Sequence, residues 1–133
     1  MSTTPDVRVR RVYAEPEPSD GHRVLVDRLW PRGISKQRAE LFAWRKDVAP
    51  STDLRKWYAH DPTKFEEFAA RYREELSDSD RAAALDDLQT LAGKGTLTLL
   101  TAAKRADISE ATVLQAILTG SSATSESESG SGQ

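Results

Sequence analysis

Val24-Leu25-Val26 is a short, uninterrupted apolar run rich in β-branched residues, closed by Arg23 on one side and Asp27-Arg28 on the other. A run that lacks the alternation of a half-solvated strand belongs to a strand buried on both faces, as the central strands of parallel sheets are. A strand over 23–28 therefore needs covering layers above and below it. Trp30-Pro31-Arg32-Gly33 ends it, because proline cannot continue a central ladder and glycine tolerates the backbone angles of a turn.

The segments on either side supply those layers. Val7 to Tyr13 alternates apolar and basic residues, which predicts a strand with one solvated face near a sheet edge. The loop Glu15 to Gly21 follows, with two prolines and a glycine, and His22 falls in its turn as a solvated side chain. Leu41 to Val48 fits both the strand and the helix period and is read as a strand. Ser51 caps a helix carrying Leu54, Trp57 and Tyr58 on one face. That helix breaks at His60-Asp61-Pro62, where Asp61 caps the next one. Phe65, Phe68, Tyr72 and Leu76 then recur at spacings of three and four, an apolar face that suits the core or self-association.

Ser77 to Asp80 starts a further helix with Leu85, Leu88 and Leu91 on one side and Gly93 as its stop. Thr96 to Thr101 is a short buried strand. Ser109 caps the last helix, with Ile108 and Val113 placed as a hydrophobic staple. Strands alternating with helices predict a single α/β domain over 7–119, a small mostly parallel sheet with helices packed on it in a Rossmann-like three-layer arrangement. The segment 1–6 is expected to be a flexible N-terminus. The tail 120–133, nearly all Ser, Gly, Thr and Glu, is expected to be disordered.

The chain has no cysteine, so disulfides, thiolate metal sites and thiol nucleophiles are excluded. No signal peptide or membrane span is read, which leads to an expected cytoplasmic location. The net charge of -2 hides a basic excess between Val7 and Arg38, where Glu15, Glu17, Asp20 and Asp27 are outnumbered by arginine and lysine. Such an excess attracts anions, although a positive end is also ordinary in a well-solvated domain.

Four segments carry a resemblance: Arg11-Val-Tyr13; Val24-Leu-Val-Asp-Arg-Leu-Trp-Pro-Arg-Gly33; Ala49-Pro-Ser51 leading into Leu54-Arg-Lys-Trp-Tyr58 and His60-Asp-Pro62; and Thr98-Leu-Leu-Thr-Ala-Ala-Lys104. Together they resemble the YeaO-like branch of a family of uncharacterised bacterial proteins, over nearly the whole domain and in the expected order. The resemblance implies an α/β fold and no established activity, substrate or cofactor. Many similar sequences carry a His-Asn element after the Ala-Ala-Lys strand end, where this chain reads Arg105-Ala-Asp-Ile-Ser-Glu110. More distant branches carry cysteine in that strand and a Cys-His pair after it; here Thr101 stands instead.

Ligands of open parallel sheets sit beyond the carboxyl ends of the strands, which locates the candidate chemistry. Asp27, directly after the buried run, is a candidate general base, or else a carboxylate paired with an arginine or capping a loop. Arg28 and Arg32 are candidates for binding phosphate or carboxylate, or for surface salt bridges. Trp30 stacks on a planar ligand or closes the core. His60, in the break between two helices, is the second candidate for handling a proton. Lys104, after two alanines that leave room for a ligand, is a candidate anion contact or a solvated charge beside Arg105. Two histidines far apart make no metal signature, and no cofactor-binding motif is present.

These residues point to a small-molecule site, enzymatic or not, for an anionic ligand at the carboxyl edge of the sheet. The alternative is a non-catalytic module contacting nucleic acid or an acidic protein through the arginine-rich first third, against which stand a pI of about 5.7 and the lack of a nucleic-acid motif.

Overall fold

The computed structural model describes residues 6–120; the expected flexible N-terminus and disordered tail fall almost wholly outside the described residues. Four strands, β1 (Val7–Arg11), β2 (His22–Leu25), β3 (Ala43–Trp44) and β4 (Leu97–Thr101), form one sheet in the order β1-β4-β2-β3. Every pairing is parallel. Five helices accompany it: α1 (Lys36–Ala39), α2 (Thr52–Tyr58), α3 (Phe65–Glu75), α4 (Ser79–Lys94) and α5 (Glu110–Leu118). This is the expected single α/β domain. Among the described residues no helix is long and apolar enough to cross a membrane.

The two faces of the sheet are unequal. Val7, Val24, Val26, Leu97 and Leu99 point into a large cluster with Leu54, Phe68, Tyr72, Leu88, Val113 and Leu114 from α2 to α5. Residues of opposite parity, Leu25 and Leu100, join Val12, Ile34 and Ala39 in a smaller cluster on the other face, which α1 and its flanking loops cover. The uninterrupted Val24-Leu25-Val26 run is thus fully buried on both sides. It stabilises the fold by about 1.5–3 kcal/mol per side chain removed from water.

Several local expectations hold because the cap chemistry is local. Ser51 accepts from the Leu54 N–H, Asp61 from the Thr63 N–H, and Ser109 from the Ala111 N–H. Others are corrected. Within Leu41 to Val48 only Ala43–Trp44 pairs as strand, since the chain leaves the sheet into a 3-10 turn at Lys46–Val48. Gly93 does not stop α4; the helix continues to Lys94 and Gly95 follows it, the buried Leu91 and Ala92 holding the last turn. α1, capped by Ser35, was not foreseen. His22 lies in β2, not in a turn, with its ring edge-on to Phe42 at 4.6 Å. The apolar face of α3 is taken up by the core, where Phe68, Ala69, Tyr72 and Leu76 are buried, so that face is not left over for self-association.

The smaller face turns polar at the amino ends of the strands. Asp20 is buried there and accepts from Arg23 at 2.6 Å, Arg10 at 2.7 Å and the Glu17 N–H at 3.0 Å. Its own carbonyl accepts from the Thr98 hydroxyl at 2.7 Å, and Arg23 also donates to the Ala39 carbonyl of α1 at 3.0 Å. Burial opposes ionisation of Asp20, but the Glu17 N–H and the two guanidiniums outweigh it and hold the carboxyl below the usual aspartate range. Gly21 follows with φ of 63°, and a Cβ there would stand 2.3 Å from the Thr96 carbonyl oxygen, so glycine is required. Asp20→Asn keeps the shape but leaves Arg23 buried without a counter-charge. We expect it to cost about 3 kcal/mol or more at neutral pH, seen as a lower denaturant midpoint. Because the native carboxyl ionises more readily than the unfolded one, that difference should shrink as pH falls through the acid range; a pH-independent deficit would contradict the assignment.

Candidate functional site

The ladder of β2 extends one residue past Leu25, with the Val26 N–H donating to the Leu100 carbonyl at 3.1 Å. Asp27 is therefore the first side chain beyond the paired backbone, at the carboxyl end of a central strand. Its two oxygens turn to the neighbouring strand: the Thr101 hydroxyl donates to one at 2.8 Å and the Ala102 N–H to the other at 2.8 Å. Among the described residues no arginine pairs with it. The carboxylate instead ties the end of β2 to the end of β4.

Around this tie lies a cavity of about 430 Å³, a size typical of small-molecule sites. Its exposure is graded. Thr101, Ser109, Ala49, Tyr58 and Phe68 are buried and form the inner wall; Asp27, Trp30, Arg55 and Glu110 are partly buried; Arg28, Leu29, Arg32 and His60 are exposed at the mouth. Leu29 is 67% exposed, a large apolar side chain left in solvent at the entrance. Five of the six candidate residues, Asp27, Arg28, Trp30, Arg32 and His60, thus line one hollow. Lys104 does not: it comes directly after the lining residues Thr101 to Ala103, but is exposed and outside. The chain is held back there by Arg11, which donates to the Ala103 carbonyl at 3.1 Å.

The mouth is shaped by fixed aromatic groups. The Trp30 indole N–H donates to the Ile34 carbonyl at 2.8 Å, and the ring meets Trp44 edge to face at 5.4 Å. The Tyr13 hydroxyl donates to the Arg32 carbonyl at 2.8 Å, pinning the loop that carries both arginines. On the other side α2 ends with Ala59 and His60 both in the left-handed region, at φ of 48° and 58°. Neither is glycine, so two successive residues hold a conformation that costs on the order of 1–2 kcal/mol each. The strain is contained by the Ala59 N–H to Arg55 carbonyl bond and by the Asp61 N–H to Tyr58 carbonyl bond.

Glu110, Arg55, Tyr13 and Ser109 also line the cavity and were not singled out from sequence. Glu110 is the most consequential. As the first residue of α5 it reads as an ordinary first-turn acid favoured by the helix dipole, but its carboxyl faces that of Asp27 within hydrogen-bonding reach. Burial, followed by the hydrogen bond and the charge of Asp27, raises its pKa well above the glutamate range. Two neighbouring carboxyls do not both ionise cheaply, which favours the protonated form of Glu110. Tyr58, on the inner wall, donates to the Ile108 carbonyl at 2.6 Å, and burial pushes its hydroxyl up to about 12. Among the described residues no group of three or more His, Asp or Glu side chains could hold a metal ion.

A family model described as the inactive DUF488-N3 subclade matches residues 6–132. The chain belongs to this family. It is 52% identical over 114 residues to the uncharacterized protein Rv3073c of Mycobacterium tuberculosis, covering 86% of this chain and 94% of that one. It is 40% identical over 109 residues to the uncharacterized protein YeaO of Escherichia coli, covering 82% and 93%. The YeaO-like resemblance read from the four segments is therefore shown. No solved structure matches the chain.

The carboxyl pair gives a pH signature. Because folding raises the pKa of Glu110, its contribution to stability falls as pH rises above the ordinary glutamate range. Glu110→Gln keeps the shape and a donor toward Asp27 with nothing to ionise. The variant should match the parent at acid pH and be increasingly more stable than it as pH rises above the ordinary glutamate range. Guanidinium unfolding at several pH values measures this; a difference that does not change with pH would show that Glu110 titrates like a surface carboxylate.

Proposed function

We propose that the protein binds a small anionic molecule in the cavity at the carboxyl edge of its sheet. The observation that carries this reading is the state of the arginines. In the basic first third, Arg8, Arg10, Arg23 and Arg38 are drawn into ion pairs with Asp6, Asp20, Glu17 and Glu15, and Arg11 into backbone carbonyls. Arg28 and Arg32 at the mouth make no ion pair or side-chain hydrogen bond among the described residues, while Arg55, which also lines the cavity, acts on Glu110. Guanidiniums held around a hollow without an internal partner suit a carboxylate or phosphate. Trp30 supplies a flat wall beside them, and Asp27 with His60 are the groups able to handle a proton there.

Binding without turnover is favoured by two further points. The family description calls the subclade inactive. At the places where similar sequences carry histidine or cysteine, this chain has Thr101, committed to Asp27, and the segment ending in Glu110. The alternative, a module contacting nucleic acid or an acidic protein, has less behind it because Arg8, Arg10, Arg23 and Arg38 of the basic first third are paired internally.

A thermal-shift screen with phosphate, sulfate, nucleotides and carboxylic acids tests the proposal. An anion at ten times its Kd adds about 1.4 kcal/mol, a rise of a few degrees, and Arg32→Ala should remove most of it. If no anion stabilises the protein, or the rise survives loss of Arg28 and Arg32 together, the reading fails. Retention on immobilised DNA at low salt would favour the alternative.

A further inference from the structure

Resting on the anion-binding reading of the cavity, we infer that its ligand is a two-ended zwitterion, with an anionic group at the arginine mouth, a short apolar middle, and an ammonium at the Asp27 and Glu110 carboxyls. Three features of the cavity lead there. The first is size: a bare sulfate or phosphate at Arg28 and Arg32 would leave most of about 430 Å³ unfilled. The second is the apolar part of the lining, formed by Trp30, Pro31, Ala49, Phe68, Ala102 and Ala103, which favours methylenes or a ring.

The third is the acid pair that lines the same cavity. Asp27 holds both oxygens toward donors, the Thr101 hydroxyl and the Ala102 N–H. A second anionic group placed against this pair would meet like charge in a partly desolvated place, so a dicarboxylate is disfavoured. An amine meets the opposite situation. With a proton on Glu110 the pair carries one negative charge, and an arriving ammonium is its complement. The ammonium also lowers the cost of ionising Glu110, so binding should release part of a proton. The charged or titratable groups around Glu110 are Asp27 at the end of β2, Arg55 and Tyr58 on α2, and Tyr72 on α3. Of these, Arg55 is the cation, and it opposes an ammonium more weakly the farther the ligand's amine stays on the Asp27 side.

Matched ligands of graded length test this on the full chain. The probes are butanoate, pentanoate and hexanoate, their ω-amino counterparts, and succinate, glutarate and adipate, together with 4-methylbenzoate against 4-(aminomethyl)benzoate. Isothermal titration at pH 7 should show at least one amino acid binding tenfold or more tightly than its plain carboxylate, with the diacid weakest. In two buffers of different ionisation enthalpy the apparent heats should differ, and that difference should vanish in Glu110→Gln. Equal affinity for the plain and amino members, or diacids binding as tightly, would overturn the inference while leaving the anion site standing. Simple amines such as pentylamine binding as tightly as the amino acids would overturn both, as would no binding by any probe. Should Glu110→Gln fail to fold, the comparison of amino acid with diacid in the unaltered protein still decides.

Discussion

β4 is the last strand made and it enters the sheet between the first two, so the fold depends on fastening a late strand between partners that are already placed. Two aspartates at opposite ends of β2 do this. At the amino end the Asp20 carbonyl accepts from Thr98, while the Asp20 carboxylate gathers Arg10 and Arg23 from the strands on either side. At the carboxyl end Asp27 accepts from Thr101 and from the backbone just past it. Between these clamps the five residues of β4 are wholly buried. A parallel ladder is evenly spaced and gives its strands no marker of register, so the polar clamps fix which residue of β4 lies opposite which residue of β2.

The same carboxylate that fastens the strand faces the cavity. Asp27 is therefore poorly placed to vary freely with the chemistry beside it, since replacing it loosens β4 as well. Glu110 carries no such structural duty beyond its helix turn. In a family whose description is inactive, the pair combines one residue fixed by the architecture with one set by the turn that opens α5.

Much of this was legible in the chain because the relevant physics is local. The β-branched run at 24–26 announces a strand buried on both faces, and Ser51, Asp61 and Ser109 announce helix starts through their own side chains. β3 was not legible: Phe42, Trp44 and Val48 fit two periods at once, and only pairing with β2 selects the two residues that become strand. The fault at Gly93 has the same origin, since packing of Leu91 and Ala92 carries the helix past a residue that by propensity should end it. Most of the candidate site could be gathered from the rule that polar residues just after central strands converge. Glu110 escaped because a first-turn acid is so common that nothing local marks this one as facing another carboxyl. Lys104 lies outside the hollow, just after a strand end whose Ala103 carbonyl is bonded by Arg11, more than ninety residues earlier in the chain.

The left-handed pair Ala59-His60 joins α2 to the next cap by a path with almost no slack. A glycine there would give the loop many conformations; two substituted residues in a sparsely allowed region give it few. The segment bearing the imidazole consequently has few conformations open to it while that pair is held. A molecule that touches it loses little conformational entropy from the protein, and its affinity reflects the contacts made and not the ordering of a floppy loop.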